Sequence, residues 1–313
     1  MIAPKKGRVA AKVAAQVLIV GAALALSACS SGDPLSNGAA STSADETTVT
    51  VGSAAFSENV ILANIYGQAL EANGFTVEYK LNIGAREAYV PALQAGEIDL
   101  IPDYSGNLLT HFERDATANT ASDVLTALQA ALPTGLEVLD PSMAEDKDSF
   151  VVTAEYAAKN QLKSIADLKN VGTFALGSSP EFLTRPQGLA GFEKVYGITD
   201  IKFTAISDNG GPATLKALLD NTIQVADIYT TTPSILANKL VTLEDPKDLI
   251  AAQQVIPLVS ASKNSSKLTE VLNTVSATLT TQDLLELNTR VSGDSKTDPA
   301  EAAKDWLATA KLL

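Results

Sequence analysis

Two tyrosines, Tyr104 and Tyr229, stand at matching positions in two similar stretches of the chain. Each follows an Ala-Leu pair, a turn and an apolar segment, and lies twelve residues after the alanine, Ala92 or Ala217. The apolar segments are typical of buried strands, and open α/β sheets bind ligands beyond the carboxyl ends of their strands. Two lobes that face each other would bring both rings to one cleft, where they would recognise a small solute. Alternatively, helix, turn and strand recur in any α/β protein and the equal spacing is a coincidence.

Residues for catalysis or for a cofactor are scarce. His111 is the only histidine, and neither a G-x-S-x-G nor an S-x-x-K motif accompanies it, as a nucleophile with its base would require. One histidine and one cysteine, Cys29, are too few for a structural zinc cluster. Residues 209–212 form a turn that is too short for a phosphate-binding loop. We therefore predict a protein that is not an enzyme and uses no cofactor or metal.

The first 29 residues have the pattern of a secretory signal. Four basic residues precede an apolar run at 13–25, and Leu26-Ser27-Ala28-Cys29 follows. The run is shorter than the ~20 residues that span a bilayer as a helix. The cleavage region resembles a bacterial lipobox, whose cysteine is lipidated and becomes the first mature residue. We predict a signal peptide at 1–28 and a lipid on Cys29; the alternative is a general signal peptide with an incidental cysteine.

The charge of the mature chain limits its partners. Residues 1–28 hold four basic residues and no acidic one, so their removal changes the net charge from −13 to −17. This charge argues against nucleic-acid binding, which needs a basic patch. It also keeps the protein body away from an anionic membrane and leaves the lipid as the anchor. Residues 29–48, which are small and polar after the cysteine, predict a flexible tether.

Hydrophobic periodicity divides the remaining chain into two α/β units. In the first unit, strands at 49–51, 75–81 and 98–101 alternate with a helix for which Ser57 is the predicted N-cap and a helix at about 86–94. In the second unit, the predicted elements are a capping box at 164–167, a helix at 212–219, and strands at 150–153, 174–176, 201–204 and 225–228. This order favours parallel sheets. Beyond residue 264 the pattern is helical.

Several blocks carry a resemblance to a known family. In chain order they are Val51-Gly52-Ser53, Phe56-Ser57-Glu58, 86–93, 96–106, 182–185, 188–191 and 227–231. They resemble the substrate-binding proteins of glycine betaine, choline and carnitine type osmoprotectant ABC transporters. The resemblance implies a two-lobed type II periplasmic-binding-protein fold of the α/β class, with crossovers near 105–110 and 230–235. Lobe I would comprise 49–108 and 232–313, and lobe II would comprise 109–231.

The resemblance also implies a site. In that family a cage of tyrosines holds a quaternary ammonium group, and basic side chains with backbone N–H groups hold a carboxylate. The positions implied as ligand-binding here are Tyr104, Tyr229, Asp103, Arg185, Tyr89, Arg86, Ser53 and Thr231. Ala54 stands where many members have lysine, and Val60 and Leu189 stand where some have tyrosine. Only part of the cage is therefore expected.

We predict an extracytoplasmic solute-binding lipoprotein of an ABC importer, anchored to the cell membrane through Cys29. It would act as a monomer with a permease and its ATPase subunit. Two alternatives remain open. One is a binding protein for another small polar solute, such as an amino acid. The other is a sensing lipoprotein that uses the same fold without transport.

Overall fold

A computed structural model describes residues 47–292 and 295–313. The predicted signal peptide, Cys29 and all but the last two residues of the predicted tether lie outside these ranges. Within the ranges, no helix combines the length and the apolar character that crossing a bilayer requires.

The first sheet has five strands in the order β2-β1-β3-β10-β4. Their bounds are β1 (Thr48–Gly52), β2 (Thr76–Lys80), β3 (Leu100–Tyr104), β4 (Leu136–Val138) and β10 (Val255–Ser260). β1 runs parallel to β2 and β3, whereas β10 runs antiparallel to β3 and β4. The sheet is therefore mixed, because a strand from late in the chain returns between β3 and β4.

The second sheet repeats this plan in the order β7-β6-β8-β5-β9. Its strands are β5 (Phe150–Val152), β6 (Phe174–Ser178), β7 (Ile201–Ala205), β8 (Val225–Asp227) and β9 (Val241–Thr242). β6 is parallel to β7 and β8, and β5 is antiparallel to β8 and β9. The α/β class predicted from the sequence is confirmed, but each sheet is mixed rather than parallel.

Helices cover both sheets, and two of them have the predicted bounds, 86–94 and 212–219. The set is α1 (Ser57–Ala72), α2 (Arg86–Gln94), α3 (Ser105–Phe112), α4 (Ala121–Ala131), α5 (Ala154–Asn160), α6 (Leu189–Gly191), α7 (Pro212–Leu219), α8 (Ser234–Ala237), α9 (Ser266–Thr278), α10 (Thr281–Ser292) and α11 (Pro299–Ala310). Twelve of the sixteen residues of α1 are buried, as expected for a helix apolar on most sides. Its N-cap is Phe56 rather than the predicted Ser57.

Each face of the first sheet packs against its own helices. One apolar core joins α1, α9, α10 and α11 to β1, with Leu62, Leu272 and Leu307 fully buried. A second core joins α2, α3 and α4 to the opposite face, where Leu93 and Ile256 are buried. Because helices hold the sheet from both sides, the carboxyl ends of β1 and β3 form a firm base for the loops that follow them.

The chain passes between the sheets twice, through residues 139–149 and 243–254, and the two crossing segments lie side by side. The N–H of Asp146 donates to the carbonyl of Gln253 (3.2 Å), and the N–H of Val255 donates to that of Ala144 (2.9 Å). The crossovers that the family resemblance implied lie near 105–110 and 230–235. Strand pairing places both later, because β4 belongs to the first sheet and β9 to the second. Residues 109–138 therefore belong with lobe I, and residues 232–242 with lobe II.

Candidate functional site

A cavity of about 50 Å³ lies between the two lobes, beyond the carboxyl ends of β1, β3 and β8. This volume holds no more than a few water molecules, so the cleft is closed. Hydrogen bonds between the lobes hold it closed. Gln187 Nε2 donates to Asn107 Oδ1 (2.9 Å), and Arg114 donates to the carbonyl of Thr184 (2.7 Å).

The loop between β1 and α1 forms one wall of the cavity through residues 54–56. Asn59 fixes this loop, since its Oδ1 accepts from the N–H of Ala54 (2.7 Å) and its Nδ2 donates to the carbonyl of Pro102 in β3 (2.9 Å). Both of these hydrogen bonds are buried, so removing the Asn59 side chain would leave buried polar atoms unpaired. Asn59 thereby sets the position of Phe56.

Three aromatic rings meet at the cavity: Phe56, Tyr104 and Tyr229. The Phe56 ring stacks against Tyr104 at a centroid distance of 6.1 Å and an angle of 30°. It meets Tyr229 edge-on at 5.4 Å and 61°. These distances lie in the range of favourable aromatic pairs. Burial raises the pKa of both tyrosines well above the usual value, so both hydroxyls are neutral at pH 7.

A buried polar network stands behind Tyr104. Its hydroxyl donates to Oε1 of Glu58 (2.6 Å). Oε2 of Glu58 accepts from Oγ1 of Thr231 (2.5 Å) and from Nδ2 of Asn288 (2.6 Å). The network therefore joins the ring to α1, to the loop after β8 and to α10, and it fixes the orientation of the ring.

Two aspartates from the first crossing segment, Asp146 and Asp148, also line the cavity. Asp146 Oδ1 accepts from the N–H of Thr231 and the hydroxyl of Thr230, both at 3.0 Å. Burial, followed by the nearby Glu58, raises the pKa of Asp146 well above its usual range. Asp148 is half-buried and accepts from Nδ2 of Asn107 (3.1 Å). The crossing segment thus brings carboxyl groups next to the aromatic rings.

A fourth carboxyl group, Asp227 at the end of β8, is buried in lobe II. Its Oδ2 accepts from the hydroxyl of Ser178 (2.7 Å), and its Oδ1 has no hydrogen-bond partner among the residues that the structure describes. Burial, and then the charge of Asp148, raise the pKa of Asp227 well above its usual range.

Arg86 and Asp103 form a buried ion pair at the floor of the cavity. The guanidinium donates to both carboxylate oxygens, from Nη2 to Oδ1 (2.5 Å) and from Nε to Oδ2 (3.2 Å). The hydroxyl of Tyr89 and the N–H of Tyr104 donate to the same carboxylate at 2.8 and 2.7 Å. Asp103 is therefore saturated by protein donors, and it holds Arg86 and Tyr89 in place.

Arg185 reaches the cavity from lobe II and pairs with Glu87 of lobe I at 3.2 Å. The side chain of Arg185 is 20% exposed and that of Glu87 is 47% exposed. Burial raises the pKa of Glu87, but the charge of Arg185, hydrogen bonds to Arg185 and to the backbone, and the charge of Arg86 together lower it below its usual value. This ion pair is a further link across the closed cleft.

The predicted ligand residues divide into two groups. Those that line the cavity are Tyr104, Tyr229, Arg185, Tyr89 and Arg86. Those outside the lining are Asp103, Ser53 and Thr231. Donors from the protein saturate Asp103, and Thr231 belongs to the network of Glu58. The Ser53 hydroxyl donates to the carbonyl of Ala54 and accepts from the N–H of Asn82. Contact with a ligand stays a prediction for the residues of both groups.

The three departures from the family pattern have different positions. Ala54 lines the cavity, as the lysine expected there would. Val60 is buried within α1, and Leu189 packs against the apolar core of lobe II. Neither residue lines the cavity.

Five aromatic or polar residues of the lining were not predicted from the sequence. They are Phe56, Asn107, Asp146, Asp148 and Asn209. Phe56 had a signal, since it opens the Phe56-Ser57-Glu58 block that precedes α1. The aspartates had none, because the crossing segment has no periodicity. Among the described residues, no group of three or more His, Cys, Asp and Glu side chains is arranged to hold a metal ion.

Comparisons with known proteins agree with this architecture. The family OpuAC, described as the substrate binding domain of ABC-type glycine betaine transport systems, matches residues 47–309. The glycine betaine-binding protein YehZ of Escherichia coli K12 is 31% identical over 273 residues, which cover 83% of this chain and 89% of that protein.

Solved structures show the same fold. A structure described as a glycine betaine/carnitine/choline ABC transporter superimposes with a TM-score of 0.67 at 22% identity, over 84% of this chain and 99% of that one. Apo YehZ from E. coli superimposes with a TM-score of 0.60 at 29% identity, over 85% and 100%. The predicted two-lobed binding-protein fold is confirmed. The chain belongs to the family of substrate-binding domains of ABC-type glycine betaine transport systems.

Proposed function

We propose that this protein is the extracytoplasmic binding protein of an ABC importer and that it binds a quaternary ammonium osmoprotectant, of the glycine betaine, choline or carnitine kind, between its lobes. The observation that carries the proposal is the meeting of Phe56, Tyr104 and Tyr229 at the interlobe cavity. A relative that is 31% identical is a glycine betaine-binding protein, which supports this ligand class.

The lining suits an organic cation that water hydrates only weakly. Each ring face attracts an organic cation by ~0.5 to 2 kcal/mol when the contact is desolvated. Asp148 adds negative charge beside the rings. Tyr104 and Phe56 belong to lobe I and Tyr229 belongs to lobe II, so one bound cation contacts both lobes and stabilises the closed form.

The proposal includes the place and the partners of the protein. Members of this family serve ABC transporters, so a permease and its ATPase subunit would receive the solute. We propose that Cys29 carries the lipid that anchors the protein to the outer face of the cell membrane, and that the protein is a monomer. The motif Leu26-Ser27-Ala28-Cys29 supports the anchor.

A thermal-shift screen of the purified protein tests the ligand class. A ligand at 100 times its dissociation constant adds ~2.7 kcal/mol to the free energy of unfolding. We expect glycine betaine, choline or carnitine to raise the melting temperature, and Tyr229→Ala to weaken the effect. Amino acids without an N-methylated ammonium group serve as the matched comparison. A shift with such an amino acid and none with the quaternary ammonium compounds would contradict the proposal.

A further inference from the structure

Both arginines that line the cavity already have carboxylate partners from the protein. Arg86 forms a two-point ion pair with Asp103, which is fully buried. Arg185 pairs with Glu87 through Nη2 and Nε at 3.2 to 3.5 Å. A ligand carboxylate would have to share or displace these partners, and removing the buried Asp103 from its ion pair would be costly.

Glu87 is the carboxylate that the protein itself supplies to Arg185. It is the second residue of α2, directly after Arg86, and its carboxylate contacts Arg185 from the opposite lobe. Burial, the largest influence, raises the pKa of Glu87, whereas the charges of Arg185 and Arg86 lower it. Arg185 lines the cavity, so the guanidinium that Glu87 contacts is one that would otherwise be free to bind a carboxylate of the ligand.

The rest of the lining adds negative charge. Asp148 lies near Arg185 and Tyr229 and affects the pKa of both. It makes no ion pair within the described ranges, where its partner is the amide of Asn107. The charged groups at the cavity therefore favour a ligand with a net positive charge over one whose charges cancel.

We propose that Glu87 takes the place of a ligand carboxylate, so that the site prefers organic cations that have no carboxylate group. This inference rests on the proposed function and specifies its ligand. The pair of Glu87 with Arg185 would also link the two lobes, as a ligand carboxylate would. The cleft could therefore close around a ligand whose only charged group is a cation. Glu87 is thus a residue that determines specificity.

Choline and glycine betaine form a matched pair of probes, since both have a trimethylammonium group and only glycine betaine has a carboxylate. Titration calorimetry on the purified protein measures both dissociation constants. We expect choline to bind at least ~5-fold more tightly than glycine betaine. Glu87→Gln frees Arg185, and it should reduce this ratio by ~3-fold to 10-fold by strengthening the binding of glycine betaine.

Asp220→Asn is the control variant. It removes one negative charge from the exposed pair of Lys216 and Asp220, so it matches the change in charge away from the cavity. This control should keep the wild-type ratio. Glu87 is half-exposed, and an unchanged melting temperature of Glu87→Gln would show that its fold is intact.

The outcomes separate this inference from the proposed function. Equal or tighter binding of glycine betaine by the wild-type protein would overturn the inference and leave the proposed function in place. A ratio that does not change in Glu87→Gln would also overturn the role of Glu87. If neither compound binds, the inference and the proposed function fail together.

Discussion

Replacing Tyr104 with phenylalanine separates the hydroxyl from the ring. The hydroxyl donates to Glu58 at 2.6 Å inside the protein, and Glu58 keeps its bonds to Thr231 and Asn288. A hydrogen bond to a charged group contributes ~1.5 to 3 kcal/mol, and the buried carboxylate oxygen would lose its partner. We therefore expect Tyr104→Phe to lower the free energy of unfolding by ~2 kcal/mol. For a domain of this size, that corresponds to a melting temperature lower by roughly 4 °C or more.

Tyr229→Phe is the matched control. It removes the same atom from the opposite wall, and the Tyr229 hydroxyl makes no hydrogen bond within residues 47–292 and 295–313. Its loss should change the free energy of unfolding by less than ~0.5 kcal/mol. Both variants keep the ring face, so both should retain the affinity for a quaternary ammonium ligand within about threefold. Chemical denaturation and calorimetry measure the two quantities. Equal stability of the two variants would refute the structural role of the Glu58 network.

Three further predictions follow from the site and the N-terminus. Truncating Tyr104 or Tyr229 to alanine should weaken ligand binding at least ~5-fold in calorimetry, and the double variant should depart from additivity because both rings contact one ligand. Wild-type affinity in both single variants would leave the tyrosines as packing residues. Cys29→Ala should move the protein from the membrane fraction to the soluble fraction of fractionated cells, and a variant that stays in the membrane would exclude the lipid anchor.

The third concerns pH. The pKa of Asp227 is raised in the folded state, so the folded protein binds a proton more tightly than the unfolded chain. Stability should therefore fall as the pH rises above ~4 towards the folded pKa. Asp227→Asn should flatten this fall and raise the melting temperature at pH 7, whereas an identical pH profile would show that Asp227 is not responsible.

Local patterns predicted the elements whose ends depend on local chemistry. The helices at 86–94 and 212–219 follow from apolar spacing, and the capping box of Ser164 and Asp167 is present. β3 was misplaced: it was predicted at 98–101 but extends through Tyr104, because β10 pairs with it from about 150 residues later. Tyr104 is therefore the last residue of its strand rather than a residue beyond it. Pairing between distant segments leaves no local pattern.

The same distinction applies to the site. Repeated spacing indicated that Tyr104 and Tyr229 share a cleft, and both line the same cavity. The partners that decide its charge come from other parts of the fold: Glu87 meets Arg185 across the lobes, and Asp148 lies in a crossing segment. The sequence distance between such partners is set by the topology, so no spacing rule identifies them.

The two crossing segments have a consequence for how a membrane partner would sense the solute. Hydrogen bonds between residues 142–146 and 253–255 tie the segments together, so we expect the lobes to rotate about the paired segments rather than slide past each other. A partner that contacts the protein outside the cleft would then sense only the angle between the lobes and not the chemical structure of the solute. Substitutions inside the cavity would change which solute is carried without any change to the surface that the partner contacts.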